Sequence, residues 1–238
     1  MKNVFTATVI AAALAFPLHA NAQVKLGAYA IPGVIETNKS GDYDKIIAKI
    51  GAVTGNTINY EVLPAAQLES AFRSGKIDCF FPLDARFWDG KEKLNSEPLN
   101  VAKIYIFSKA GDGPYTSLDA LKGKTVGVRR GFLYGPKTIN SGVTFAEVDD
   151  DDQNVKKLNA GRIAAFLAFV PDMWIWAKEK KLALPNHDPK QPLDVHKDAF
   201  LCRDGEATQK FVKQFNEGVT KLRSSGELKT MLGDSYVP

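Results

Sequence analysis

The sequence predicts an α/β protein built as two similar lobes. Three observations predict it. First, one phrase occurs twice: RSGKIDCFFP (Arg73–Pro82) and NAGRIAAFLAFVP (Asn159–Pro171) each read as a helix end, a glycine, a basic residue, an isoleucine and an apolar strand. Second, short strand-like runs alternate with amphipathic helical runs, the order that produces parallel strands with right-handed crossovers. Third, the chain has 238 residues, 45% hydrophobic and 24% charged, ordinary globular composition and long enough for two small domains.

The first element belongs to targeting. Lys2 precedes an apolar run, Val4 to Leu18, that closes on Ala20-Asn21-Ala22. A run this short, broken by Pro17 and followed by a small-x-small site, predicts a cleaved signal peptide over 1–22, with Gln23 as the first mature residue. No later stretch approaches the ~20 apolar residues of a membrane span.

The elements then follow in order. VKLGAYA (24–30) predicts a strand. DKIIAKIGAVTG places Ile46, Ile47, Ile50 and Val53 on one helical face and stops at Gly55. TINYEVL (57–63) alternates as a strand, AAQLESAFRSG is a helix stopped by Gly75, and KIDCFFP is a buried strand closed by Pro82. In the second half SLDALKG (117–123) is a short helix, KTVGV a strand, RRGFLYG a loop leading to a helix start, and TFAEV a strand. DDDDQNVKKLNAG opens on capping aspartates, RIAAFLAFV is a strand, and PDMWIWAKEKK is a helix with Pro171 in its first position. ATQKFVKQFNEGVTKLRSSG is a long helix with Phe211, Phe215, Val219 and Leu222 as its buried stripe.

Charge and composition exclude several functions. Losing residues 1–22 removes Lys2 and no acid, so the net charge falls from +4 to +3, with both signs mixed along the chain. That is no nucleic-acid footprint. His187 and His196 with Cys79 and Cys202 make no zinc spacing. The run Asp149–Asp152 lacks the alternation and glycine of a calcium loop and reads as a solvated helix start. No metal and no cofactor are expected. The two cysteines allow two buried thiols or one disulfide.

Two lobes whose strand ends face one another make a cleft, the usual place for a small molecule on open α/β sheets. An exported α/β chain with no nucleophile motif points to capture of a solute rather than chemistry.

The segments LESAFRSGKIDCFF, NSEPLNVAKIYIFSKAGDGPYTSLDALKGKTVGVRRG, VKKLNAGRIAAFLA and FVKQFNEGVTKLRSSGELKTML carry a family resemblance through their order and spacing. The chain resembles periplasmic solute-binding proteins of the amino-acid ABC transporter type (extracellular solute-binding protein family 3) over nearly all of its mature length. The resemblance implies the two-lobed periplasmic-binding-protein fold of type II, with mostly parallel sheets. It implies a discontinuous first lobe, 23–102 and 195–238, and an inserted second lobe, 103–194. Crossing strands fall near Asn100–Lys103 and Asp194–Lys197, and the lobes close around a ligand by hinge motion. It further implies a monomer, not membrane-embedded, serving an inner-membrane permease or sensor. The family sheet order puts Cys79 and Cys202 on neighbouring strands, where Cβ separation often misses that of a disulfide, so free thiols are expected.

The chain departs from the family at three recognition points. The family follows its third strand with T-x-x-R, whose arginine forks the ligand carboxylate; here WDGK puts Gly90 or Lys91 there, and Arg86 is the substitute. The family's small hydroxyls after the VGV strand are replaced by Gly131, Phe132, Leu133 and Tyr134. The family aspartate that meets the ligand ammonium aligns with Phe169, and the nearest acid is Asp172, which could equally serve its helix dipole. Tyr29, Phe81, Trp88, Phe132, Tyr134, Phe169 and Trp174 make the mouth aromatic. The expected ligand is an aromatic carboxylate or a modified amino acid, with Arg86 and one of Arg129 or Arg130 supplying the anion contact. Two alternatives stay open. One is a signalling module whose aromatics partly fill its own cleft. The other is a dehydratase-like enzyme using Asp172 or Asp84, with no histidine nearby.

Overall fold

The computed structural model describes residues 23–237; the expected leader, 1–22, lies outside the described residues. In chain order the elements are β1 (Leu26–Tyr29), α1 (Asp42–Val53), β2 (Glu61–Leu63), α2 (Ala65–Arg73), β3 (Cys79–Phe81), β4 (Leu94–Asn95), β5 (Asn100–Ser108), β6 (Thr125–Arg129), β7 (Thr144–Val148), α3 (Asp151–Asn159), β8 (Ala165–Val170), α4 (Asp172–Lys180), β9 (Asp194–Asp198), β10 (Leu201–Cys202), α5 (Glu206–Ser224) and α6 (Glu227–Leu232). They form two five-stranded sheets, ordered β2-β1-β3-β10-β4 and β7-β6-β8-β5-β9. In the first, β10 alone runs against its neighbours; in the second, β5 does. The two lobes therefore share one construction, as the repeated phrase predicts.

The phrase has a backbone cause. Gly75 and Gly161 both sit at positive φ, 75° and 67°, just after α2 and α3. Glycine takes this left-handed turn without the Cβ penalty, which ends the helix and turns the chain into the next strand. The helices bury the faces their periodicity marks: Ile46, Ile47 and Ile50 of α1, and Phe215, Val219 and Leu222 of α5, are buried. Helices α5 and α6 pack on α1, returning the C-terminus to the first lobe. The stretch before Glu61 is not paired, residues 118–121 form a 3-10 turn, and only a 3-10 turn (Pro136–Thr138) follows the RRGFLYG loop.

The chain passes between the sheets twice. It leaves β4 in the first sheet for β5 in the second, and returns from β9 to β10. Strands β5 and β9 pair antiparallel, Asn100 opposite Asp198 and Lys103 opposite Val195.

The expectation of free thiols is corrected: Cys79 and Cys202 form a disulfide, and no described cysteine is free. The register explains it. Cys202 lies directly opposite Cys79 in the antiparallel β3–β10 pair. The flanking Arg203 amide donates to the Asp78 carbonyl at 2.8 Å, which makes the cysteines a non-hydrogen-bonded pair. Opposed residues approach most closely there, and these Cα atoms are 4.0 Å apart.

Candidate functional site

The carboxyl ends of β1 and β3 face those of β6 and β8, with β9 closing the floor. Tyr29 ends β1, Arg129 ends β6, Phe169 lies one residue from the end of β8, and Asp172 starts α4. The loop after β6 carries Phe132 across the gap. Its ring stacks on Tyr29, centroids 5.3 Å apart and planes at 21°. Phe169 lies 6.1 Å from Phe132 and 5.3 Å from Tyr134. These rings occupy most of the cleft. The cavity left between the lobes is about 30 Å³, space for a water or two or a small functional group.

Arg129 is the ionic centre of the site. It is 7% exposed, and its Nη1 lies 3.3 Å from Asp172 and 3.6 Å from Asp151. Its guanidinium carbon sits 3.8 Å from the centroid of Phe132, a cation–π contact. Its Nε has no hydrogen-bond partner. Burial pushes the Asp172 carboxyl up to about 7; Arg129 opposes that shift, and Asp151 and Asp198 add to it. Burial likewise raises Asp151, again against Arg129.

A second polar group lies on the floor. His196 Nδ1 is 2.9 Å from Asp198 Oδ1, and its Nε2 accepts the Asp84 amide at 3.1 Å. An Nε2 that accepts is unprotonated, so Nδ1 carries the hydrogen and donates to Asp198. The Tyr43 hydroxyl donates to the other Asp198 oxygen. The sequence reading missed Tyr43, Asp151, His196 and Asp198, and it placed no histidine near the candidate acids. One signal was available: His196 and Asp198 alternate on a strand predicted to cross between the lobes, so they share a face.

The other expected site residues distribute as follows. Arg86 is 55% exposed; its guanidinium pairs with both oxygens of Asp84 and donates to the Val195 carbonyl. It borders a second chamber of about 360 Å³ with Phe87, Trp88 and the 132–136 loop, which shares Phe132 and Leu133 with the first cavity. Trp88 is buried against Phe72 and Phe80, and its indole N–H donates to Glu92 at 2.9 Å. Phe81 is fully buried between Tyr43 and Phe200, in the core beneath the cavity. Arg130 faces solvent and pairs with Glu147 and Asp149. Gly131 lies against the Ala65–Ala66 backbone of α2, across the cleft. Trp174 is exposed, whereas Trp176 borders a chamber of about 260 Å³ with Arg129, Asp150, Asp151, Asp152 and Glu179. Of the predicted set, the structure brings Tyr29, Arg129, Phe132, Tyr134, Phe169 and Asp172 together. It sends Phe81, Trp88 and Arg130 elsewhere.

Two mixed sheets joined by crossing strands, with a cleft between their strand ends, define a two-lobed solute-binding-protein fold. Comparisons agree with that class. No family model matches the chain. It is similar to the "Probable amino-acid-binding protein YxeM" of Bacillus subtilis (strain 168), at 25% identity over 179 residues, 73% of this chain and 67% of that protein. Among solved structures, it superposes on the GluR0 ligand-binding core from Nostoc punctiforme in complex with L-glutamate at a TM-score of 0.71, with 16% identity over 90% of this chain and 100% of that one. A histidine kinase sensor domain with similarity to periplasmic binding proteins gives 0.71 and 18%, covering 91% and 98%. The substrate-binding protein of an amino acid ABC transporter gives 0.65 and 19%, covering 90% and 99%. The resemblance read from the sequence is borne out. Among the described residues no helix is long and apolar enough to cross a membrane.

Proposed function

We propose that this chain is a periplasmic solute-binding protein. It captures a small organic solute, amino-acid-like or aromatic in size and shape, between its lobes for an inner-membrane permease or a sensor. One observation carries the reading: the facing strand ends of two separate sheets enclose a cavity with aromatic walls and two carboxylates, Asp172 and Asp198, and Arg129 pairs with Asp172 at its edge. A buried charge needs compensation, and a site that concentrates charge at a lobe interface is suited to recognition. The curated relative's name and the amino-acid transporter neighbour support the same reading. In this reading residues 23–102 with 195–238, and residues 103–194, move as two rigid bodies about β5 and β9. The leader 1–22 is removed on export, so N-terminal sequencing of periplasmic protein is expected to begin at Gln23.

Two of the groups that could move a proton are already occupied. Both His196 nitrogens are engaged, and the Asp84 carboxylate accepts from Arg86 and the Lys197 amide. Of the candidate acids that leaves Asp172, pushed up to about 7, as the one a dehydratase-like enzyme would use. The small cavity behind Phe132 favours a second reading, a signalling module whose cleft is filled by its own rings. A thermal-shift screen across a broad metabolite library separates the two. A saturable rise in melting temperature is expected for at least one solute, because a ligand bound only to the folded form raises stability by mass action. No rise across the library overturns the solute-binding reading and leaves the filled-cleft module.

A further inference from the structure

The cleft is short of positive charge. Each arginine near it is already matched by carboxylate: Arg86 by both oxygens of Asp84, Arg130 by Glu147 and Asp149, and Arg129 by Asp151 and Asp172. Asp198 receives hydrogen bonds from Tyr43 and His196, the latter a neutral ring by the geometry of its Nε2. Asp172 and Asp198 line the cavity, Asp151 stands behind Asp172 across Arg129, and Arg129 is the one buried cation among these three carboxylates. These acids feel one another, since both Asp151 and Asp198 disfavour ionisation of Asp172. A ligand carboxylate would add a fourth negative group, whereas a cation would relieve the three.

The walls point the same way. Tyr29, Phe132 and Phe169 line the cavity, and aromatic faces attract cations. Tyr29 is 3% exposed and contributes its ring; its hydroxyl lies towards Glu69 and Arg73 of α2. The cavity accepts only a small group, yet it shares Ile31 and Asp172 with the adjoining 260 Å³ chamber, and Phe132 and Leu133 with the 360 Å³ chamber beside Arg86, where the rest of a solute has room.

We propose that the cleft recognises its solute by a cationic nitrogen, seated between Asp172 and Asp198 and against the ring of Phe169. The ligand class is then an organic amine or ammonium without a carboxylate beside the nitrogen. This rests on the solute-binding reading above and departs from the aromatic carboxylate that the sequence implied.

Matched probes test it by calorimetry on the full mature chain. One set is phenethylamine, phenylalanine and 3-phenylpropanoate; the other is isoamylamine, leucine and 4-methylpentanoate. Each set holds the apolar body fixed while the charged pole changes. The amine is expected to bind about tenfold or more tighter than the amino acid, and the acid weakest. Asp172→Asn is expected to weaken the amine about tenfold or more. Phe169→Leu, which keeps apolar bulk and removes the ring, is expected to weaken the amine several-fold without weakening the acid. An acid that binds as tightly as its amine overturns the proposal, as does an amine unaffected by both substitutions. A solute from the metabolite screen that carries no cationic nitrogen also overturns it while leaving the solute-binding reading intact. A screen with no ligand removes that reading itself.

Discussion

Asp172 sits where a carboxylate is hard to ionise. It is largely buried, Asp151 and Asp198 add negative charge, and Arg129 offsets only part of this, so its carboxyl is pushed up to about 7. The native chain then holds this proton up to about pH 7, whereas the unfolded chain releases it near pH 4. Between those values the native state binds more protons, so stability falls as pH rises and levels off above about 7. A shift of this size corresponds to about 4 kcal/mol at most. Asp172→Asn is expected to flatten the decline in melting temperature between pH 5 and pH 8, with Asp151 supplying the remaining slope. A variant as steep as the parent would show that Asp172 ionises normally. The same residue governs ligand coupling. A cationic solute favours its ionised form, so binding releases a proton, and calorimetry in buffers of different ionisation heat near pH 7 is expected to detect it.

At the scale of elements, the disulfide joins β3 to β10 across 123 residues of chain. Closing so long a loop restricts the unfolded state, and removing it from a domain of this kind costs about 2–5 kcal/mol. The double substitution Cys79→Ser with Cys202→Ser is expected to lower the urea midpoint accordingly, and thiol titration of the denatured, unreduced protein to find no free thiol. An unchanged midpoint would place the stability elsewhere. That bond also marks what the sequence conceals. Helix stops and apolar strands are local, so the repeated phrase, α1, α5 and both sheets could be read from the chain. The aromatic loop after β6 was legible as well, because Phe132, Leu133 and Tyr134 stand where small residues were expected. Register is not local, and the opposition of Cys79 and Cys202 follows from how β10 is laid against β3. Charge pairing is only partly local. Arg86 reads as a free cation until Asp84, two residues earlier, is seen to hold it. The partners of Arg129 start α3 and α4, more than 20 residues away, and only the packing of β6 beside β8 brings them together.

The whole molecule depends on how closely its lobes meet, and Gly131 controls that approach. It stands in the second lobe at φ +76°, and a Cβ there would lie 2.5 Å from the Ala66 amide nitrogen and 2.9 Å from the Ala65 carbonyl carbon. Those atoms are backbone of α2 in the first lobe, with no flexible side chain to move aside. Gly131→Ala therefore acts as a wedge. The two sheets share no strand, so the strain is relieved by separation rather than by unfolding. The expected result is an unchanged circular dichroism spectrum, a larger radius of gyration by X-ray scattering, and ligand affinity lower by about tenfold or more, because a ligand held from both sides loses contacts when the lobes part. Backbone strain alone must be subtracted, since any L side chain at positive φ costs about 1–2 kcal/mol. Gly123→Ala supplies that control: Gly123 has φ +74°, with nothing within 4 Å of an added Cβ. It is expected to lower the melting temperature while leaving scattering and affinity as they were. If Gly131→Ala behaves like Gly123→Ala, the loop after β6 does not set the closed state, and closure must be governed by β5 and β9 alone.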